Sequence, residues 1–222
     1  MPDIDPWASE YSCISADPPW KESGGGKIKR GADRHYSLMK KEEIVEAMQG
    51  APCWRLSESC HLWLWVTNNH LEDGLWVMGE LGFRYVTLRT WVKMEEADEG
   101  MLEPLMLHVD TDRDPSAWAA MCEVEAALGK LYRPQRHGLG QYLWGDTEQL
   151  LFGVRGPAMM PPTEGRPRTS LLEPRTREHS EKPEQAYRDM EQVSRSVGPR
   201  LEMFAAGTPR VGWDKWMPMV HR

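Results

Sequence analysis

Four consecutive residues, Asp17-Pro18-Pro19-Trp20, combine a carboxylate, two rigid imino acids and an aromatic plane. They follow the apolar run Tyr11-Ser12-Cys13-Ile14-Ser15-Ala16, which reads as a buried strand. The end of a strand in an open α/β sheet is where ligands bind. Each proline fixes φ and lacks an N–H, and the residue before a proline is held extended. The segment is therefore expected to keep one shape, with carbonyls free of any helix or ladder. A carboxylate and a free carbonyl can together hold both hydrogens of an exocyclic amine. A neighbouring indole can stack on the ring that bears the amine. The plainer reading is a strand stop followed by a turn, since Asp-Pro commonly opens one. The tetrapeptide alone does not choose between these readings.

The surrounding chain must position this group. It has 222 residues, enough for one α/β domain or two small ones. Hydrophobic residues make up 40%, sufficient for a core, and no run approaches a membrane span. The acidic start, Met1-Pro2-Asp3-Ile4-Asp5, lacks a signal core, which predicts a cytoplasmic protein without membrane association. Cys13, Cys53, Cys60 and Cys122 form no CxxC pair and read as reduced thiols. The histidines are scattered, so no metal site is predicted.

The net charge of −7 argues against a nucleic-acid coat protein but not against an enzyme with a local basic surface. Lys27, Lys29, Arg30 and Arg34 lie in the Gly-rich loop 21–36, and Arg166, Arg168, Arg175 and Arg177 lie in the Pro-rich stretch 155–178. Either run can equally be a solvated loop.

Apolar spacing predicts a helix over 38–49 ending at Gly50 and a strand over 60–66. Thr67-Asn68-Asn69 is expected to cap a helix over 70–81, closed by Gly82. Residues 84–93 alternate as a strand, and 141–154 read as two strands around Gly145-Asp146. A helix over 183–195, with Pro183 in its first turn, precedes a final strand over 200–206. Strands alternating with helices predict a doubly wound α/β sheet. Residues 94–137 break the pattern with an acidic stretch and a helix from Asp114-Pro115 to Gly129. This segment reads as an insertion, either a recognition element or a helix covering the sheet.

In order along the chain, these segments resemble the MT-A70-like adenine N6-methyltransferases. Ile14 to Trp20 resembles the catalytic strand and loop of that family. His35-Tyr36-Ser37-Leu38-Met39 with Glu42-Glu43-Ile44, and Leu62-Trp63-Leu64-Trp65-Val66-Thr67-Asn68, resemble the two segments that follow it. Gly82-Phe83-Arg84-Tyr85 with Trp91-Val92-Lys93, then Gly140-Gln141-Tyr142 with 148–156, resemble the next strands. His179-Ser180-Glu181-Lys182-Pro183, Leu201-Glu202-Met203-Phe204-Ala205 and Gly212-Trp213-Asp214-Lys215-Trp216 resemble its last three signatures.

The resemblance implies one Rossmann-like methyltransferase domain over 1–222, with an insertion at 94–137. Its doubly wound sheet would be mostly parallel with one antiparallel hairpin, and the catalytic motif would precede the cofactor strand. It also implies S-adenosylmethionine as cofactor, bordered by Ala16 and Asp17, with Lys182 near its carboxylate and Phe204 and Ala205 beneath its nucleoside. Relatives often carry an Arg-Pro-His-Asn type stretch after the cofactor strand. Here Thr208 and Arg210 stand in its place. Position 147, where relatives often have His, is Thr147, and Met217 replaces the usual closing glycine.

Catalysis is assigned to Asp17, Pro18, Pro19 and Trp20. Asp17 and the Pro18 carbonyl would grip the N6 amine of a flipped-out adenine and Trp20 would stack on it. Tyr36, Asn68, Lys27, Lys29 and Arg30 are the expected substrate contacts. The expected polymer is DNA, with RNA as the alternative, and a homodimer or partner subunit is compatible. A second alternative is an inactive nucleic-acid-binding subunit. Retention of both the Asp and the Trp of the motif favours the enzyme.

Overall fold

The computed structural model describes residues 9–21, 38–94, 143, 145–157, 160–161, 163–174, 181–195, 199–205 and 208–218. The strands are β1 (Tyr11–Ala16), β2 (Leu56–Val66), β3 (Arg84–Met94), β4 (Thr147–Arg155), β5 (Ser170–Pro174), β6 (Arg200–Met203) and β7 (Trp213–Trp216). The helices are α1 (Lys41–Gln49), α2 (Leu71–Glu80) and α3 (Glu184–Val193). One seven-stranded sheet has the order β5-β3-β4-β2-β1-β6-β7.

β1 pairs in parallel with β2 through Ile14↔Leu62 and Ala16↔Leu64, and with β6 through Ile14↔Leu201 and Ala16↔Met203. β6 and β7 are also parallel, while β2 and β4 run antiparallel through Trp63↔Phe152 and Trp65↔Leu150. This is the mostly parallel, Rossmann-like sheet with an antiparallel pair that the sequence predicts.

Near-continuous apolar strands mean burial on both faces. Alternation sorts the side chains into two layers. Ile14, Ala16, Leu62, Leu64, Leu201 and Met203 pack with Ile44 and Met48 of α1 and Val77 and Met78 of α2. Cys13, Trp63, Trp65 and Leu150 pack with Ala186, Tyr187 and Met190 of α3 on the other side. Tyr11 breaks the parity by joining the first layer, because the β1·β2 register shifts between Tyr11 and Cys13. Gly74 lets α2 approach β2 closely, since a Cβ there would lie 2.4 Å from Val66 Cγ1.

Several polar side chains meet within the second layer. Arg89 of β3 forms a buried ion pair with Asp189 of α3, which also accepts from Gln185 at 2.9 Å. His61 Nδ1 lies 3.1 Å from Ser194 Oγ, which accepts from Trp63 Nε1 at 3.0 Å. The tautomer of His61 sets which of the two donates, and burial holds the imidazole pKa down to about 4.

Several boundaries differ from the expectation. α1 begins at Lys41 rather than 38, because Met39 is engaged in a bridge with Trp20. The predicted cap Thr67-Asn68-Asn69 makes no side-chain cap; Asn68–His70 form a 3₁₀ turn that leads into α2. Gly82, with φ +79°, does close α2. β6 stops at Met203, because Phe204 takes a left-handed conformation with φ 63°. The predicted 141–154 pair contains one described strand, β4, with residues 141, 142 and 144 outside the described set. β5 lies in the Pro-rich stretch read as a possible loop, and β7 follows the strand expected to be the last. The predicted helix at 114–129 lies outside the described residues.

The chain divides into two compact units, one of residues 1–91, 147–171 and 184–222, the other of 92–146 and 172–183. The first contains nearly all the described sheet and all three helices. In the second, Lys93 N–H bonds the Asp146 carbonyl at 3.0 Å. No helix among the described residues is long and apolar enough to cross a membrane.

Candidate active site

From β1 the chain runs to β2 on one side and returns much later to β6 on the other. Strand order reverses between β1 and β6, and a doubly wound sheet opens a ligand crevice at the carboxyl ends of such strands. Asp17 is the first residue past β1 and Phe204 the first past β6. The Asp17 N–H donates to the Met203 carbonyl at 3.3 Å, extending the pairing to the lip of the crevice. Sheet register thus brings Ala16 and Asp17 beside Phe204 and Ala205.

The two prolines shape a tight turn rather than a bare strand end. Trp20 N–H donates to the Pro18 carbonyl at 2.9 Å, and Met39 N–H donates to the Pro19 carbonyl at 2.7 Å. Lys21 N–H returns a bond to the Met39 carbonyl at 2.9 Å. The expectation that these carbonyls stay free is therefore corrected. The prolines exclude the segment from a ladder, but the Trp20 and Met39 backbones reach them. A carbonyl has two lone pairs, so Pro18 retains capacity for one further donor.

Trp20 is 7% exposed and belongs to the core under α1 and α2. Its Nε1 donates to the Trp65 carbonyl at 3.0 Å. One face stacks on His70, with centroids 5.6 Å apart and planes at 18°. The indole is thus built into the wall of the site, with a face already covered. His70 pairs through Nδ1 with Asp73 at 3.2 Å, and Asp73 pairs with Lys41 at 3.1 Å. Burial raises the Asp73 carboxyl, but the Lys41 and His70 hydrogen bonds outweigh it and leave the pKa below its usual value.

A second group of polar side chains frames the β6 side. Tyr187 of α3 donates its hydroxyl to Glu202, and Arg210 lies 3.9 Å over the Tyr187 ring while pairing with Glu184. Burial, then the charges of Glu202 and Asp17, push the Tyr187 pKa far up, so the phenol stays protonated. Lys215 pairs with Glu202 at 3.6 Å and donates to the Thr208 carbonyl at 3.2 Å. Phe204 N–H bonds the Trp216 carbonyl at 2.8 Å, and the two rings meet edge to face. A bulky residue at positive φ is uncommon and costs energy, and such residues cluster at ligand sites.

Of the other predicted residues, Arg210 reaches this group through Tyr187. Thr208 is exposed, and its backbone rather than its hydroxyl makes the described contact. Lys182 is half-buried just before α3, within the second unit. Asn68 lies past the end of β2, bonded to Thr147 and Gln149, each at 2.9 Å. Gln149 in turn accepts from Thr90 at 2.7 Å. Tyr36, Lys27, Lys29 and Arg30 lie outside the described residues. Sequence reasoning missed Tyr187, Glu202, Glu184 and His70. All sit in elements whose apolar periodicity masked them.

The family model of MT-A70 matches residues 11–112, a segment that starts at β1 and carries Asp17 to Trp20, α1, β2, α2 and β3. Over that segment the protein is similar to the MT-A70 family. No curated protein matches the chain significantly. The MT-A70 family is one of S-adenosylmethionine-dependent methyltransferases. The β6 side of the crevice, with Tyr187, Glu202, Phe204 and Arg210, lies beyond the matched segment.

The residues present fit that cofactor. A sulfonium is cationic, and Asp17 and Glu202 supply carboxylates near the β1 and β6 ends, while Phe204 supplies an apolar surface. Asp17, Phe204, Ala205 and Arg210 would hold it.

Proposed function

We propose that this MT-A70-like protein methylates the N6 amine of adenine in DNA. The reading treats 1–222 as one methyltransferase domain, with 94–137 as an insertion. The observation that carries it is the position of Asp17 at the β1/β6 switch point, followed by a proline turn that fixes its backbone.

The amine of adenine is a poor nucleophile because its lone pair is delocalised into the ring. Asp17 accepts one N6–H, and the remaining lone pair of the Pro18 carbonyl accepts the other. Both bonds draw the nitrogen towards tetrahedral geometry and localise its lone pair. The Asp17 charge then stabilises the positive charge that develops on nitrogen. S-adenosylmethionine supplies an electrophilic methyl, so the protein's task is alignment of the two reactants. The bound cofactor would give up its methyl group to nitrogen and keep the electron pair of its S–C bond as the neutral thioether. The methylated amine then loses its proton to water, and no acid–base residue is needed. The Trp20 ring, held by Trp65 and His70, fixes the wall against which the base lies. Its burial supports a positioning role over a fully open stacking platform. Asn68, Tyr36 and the basic loop residues Lys27, Lys29 and Arg30 are proposed substrate contacts. Lys182 and Thr208 are proposed cofactor contacts.

DNA is the polymer proposed, with RNA as the alternative. The test is incubation with methyl-labelled cofactor and, separately, duplex DNA, single-stranded DNA or RNA, followed by digestion and mass spectrometry. N6-methyladenine in DNA supports the reading. Its appearance in RNA alone would move the substrate, and label in neither polymer would favour an inactive subunit.

A further inference from the structure

Beside the proline turn lies a second concavity of about 330 Å³, walled by Trp20 and His70 and rimmed by Lys21, Lys40 and Lys41. We infer that this cleft holds the phosphodiester backbone next to the target nucleotide, with Lys21 and Lys40 as its electrostatic contacts. The inference rests on the nucleic-acid reading above and deepens it.

Chain geometry places the cleft at the right range. Lys21 follows Trp20 directly, and four residues from Asp17 to Lys21 span at most about 14 Å even when extended. The turn at Pro18 shortens that span. A nucleotide held by its base at Asp17 therefore has its own or its neighbour's phosphate within reach of this rim.

Backbone pairing brings both lysines to the same rim. Lys21 N–H bonds the Met39 carbonyl, so the segments carrying Lys21 and Lys40 meet at the cleft from two sides. Lys21 and Lys40 are exposed, whereas Lys41 is half-buried and committed to Asp73 at 3.1 Å and to the Trp76 face at 5.2 Å. Asp73 is thus neutralised by Lys41 and His70 rather than left to repel an anion. Glu42 is the remaining acid of the lining, so the rim is net positive. The whole chain carries −7, so a polyanion approaching it needs a local cationic contact.

The experiment measures binding of fluorescein-labelled single-stranded DNA, duplex DNA and RNA by anisotropy over a salt series. Full-length Lys21→Ala, Lys40→Ala and the double variant are compared with wild type. Each single variant is expected to flatten the slope of log Kd against log salt by about 0.7–0.9. The double variant should raise KM with kcat nearly unchanged, and Lys→Arg at either site should restore the slope. Thermal melting should stay at the wild-type value, since both side chains are exposed. Wild-type affinity and slope in the double variant would overturn the inference, whatever the methylation result. Lysine-dependent binding without methyl transfer would support the cleft while refuting the proposed enzyme.

Discussion

Replacement of Trp20 separates its structural load from its contact with substrate. The indole is 7% exposed, stacks on His70 and donates a 3.0 Å hydrogen bond to the Trp65 carbonyl at the end of β2. Trp20→Ala removes the ring and opens a cavity between the β1 turn and α2. Such truncations cost about 3–5 kcal/mol. That exceeds the ~1–3 kcal/mol that base stacking alone would contribute to binding. In a chain of this length each kcal/mol lowers Tm by about 2–4 °C, giving a drop of roughly 6–20 °C. Trp20→Phe keeps much of the apolar contact but loses the hydrogen bond to the Trp65 carbonyl, at a cost of about 0.5–1.5 kcal/mol. Urea unfolding followed by far-UV circular dichroism, with the m-value checked, reads both changes. A Trp20→Ala protein as stable as wild type would refute the placement of Trp20 as a strut and restore an open stacking platform.

Three further outcomes follow from the core. His61 is held neutral with a pKa lowered to about 4, so the unfolded chain binds its proton first as pH falls. The stability it contributes is complete above pH 6.5 and is lost between 6.5 and 4. This lowers the unfolding free energy by about 2 kcal/mol between pH 7.5 and 5; His61→Leu should flatten that part of the pH profile in urea titrations. Asp189→Ala leaves Arg89 as an uncompensated buried charge and should cost about 3–5 kcal/mol, measured by chemical denaturation; an effect below 1 kcal/mol would mean the pair is hydrated. Gly74→Ala forces a methyl against Val66 and should destabilise by about 1–3 kcal/mol in the same assay.

How much of this was legible in the sequence depends on where each element draws its stability. β1 and β2 carry apolar runs, and their existence and parallel packing follow from composition, whereas β3 is legible through its alternation. β5 and β7 are short and sit at the sheet edges. Their strand character comes from the neighbour's ladder rather than from their own pattern, and neither was expected as a strand. β6 ends early because Phe204 turns to positive φ, which no apolar pattern signals. At the site, Asp17 was legible because its chemistry sits in four contiguous residues. The Tyr187–Glu202 and Trp20–His70 pairs were not, because each joins residues far apart in sequence that meet only when α3 and α2 dock on the sheet. The free carbonyls were misjudged for a local reason: the proline turn folds back on the backbone of Trp20 and Met39.

Methyl transfer by Asp17→Ala most directly tests the central claim that its carboxylate grips and activates the amine. The rate of N6-methyladenine formation is measured under saturating cofactor with a polymer that the wild-type protein methylates, after circular dichroism establishes that the variant is folded. Loss of at least about 100-fold in kcat is expected, as for removal of an electrostatic stabiliser of comparable placement. A folded Asp17→Ala protein that transfers methyl at a rate near wild type would contradict the account.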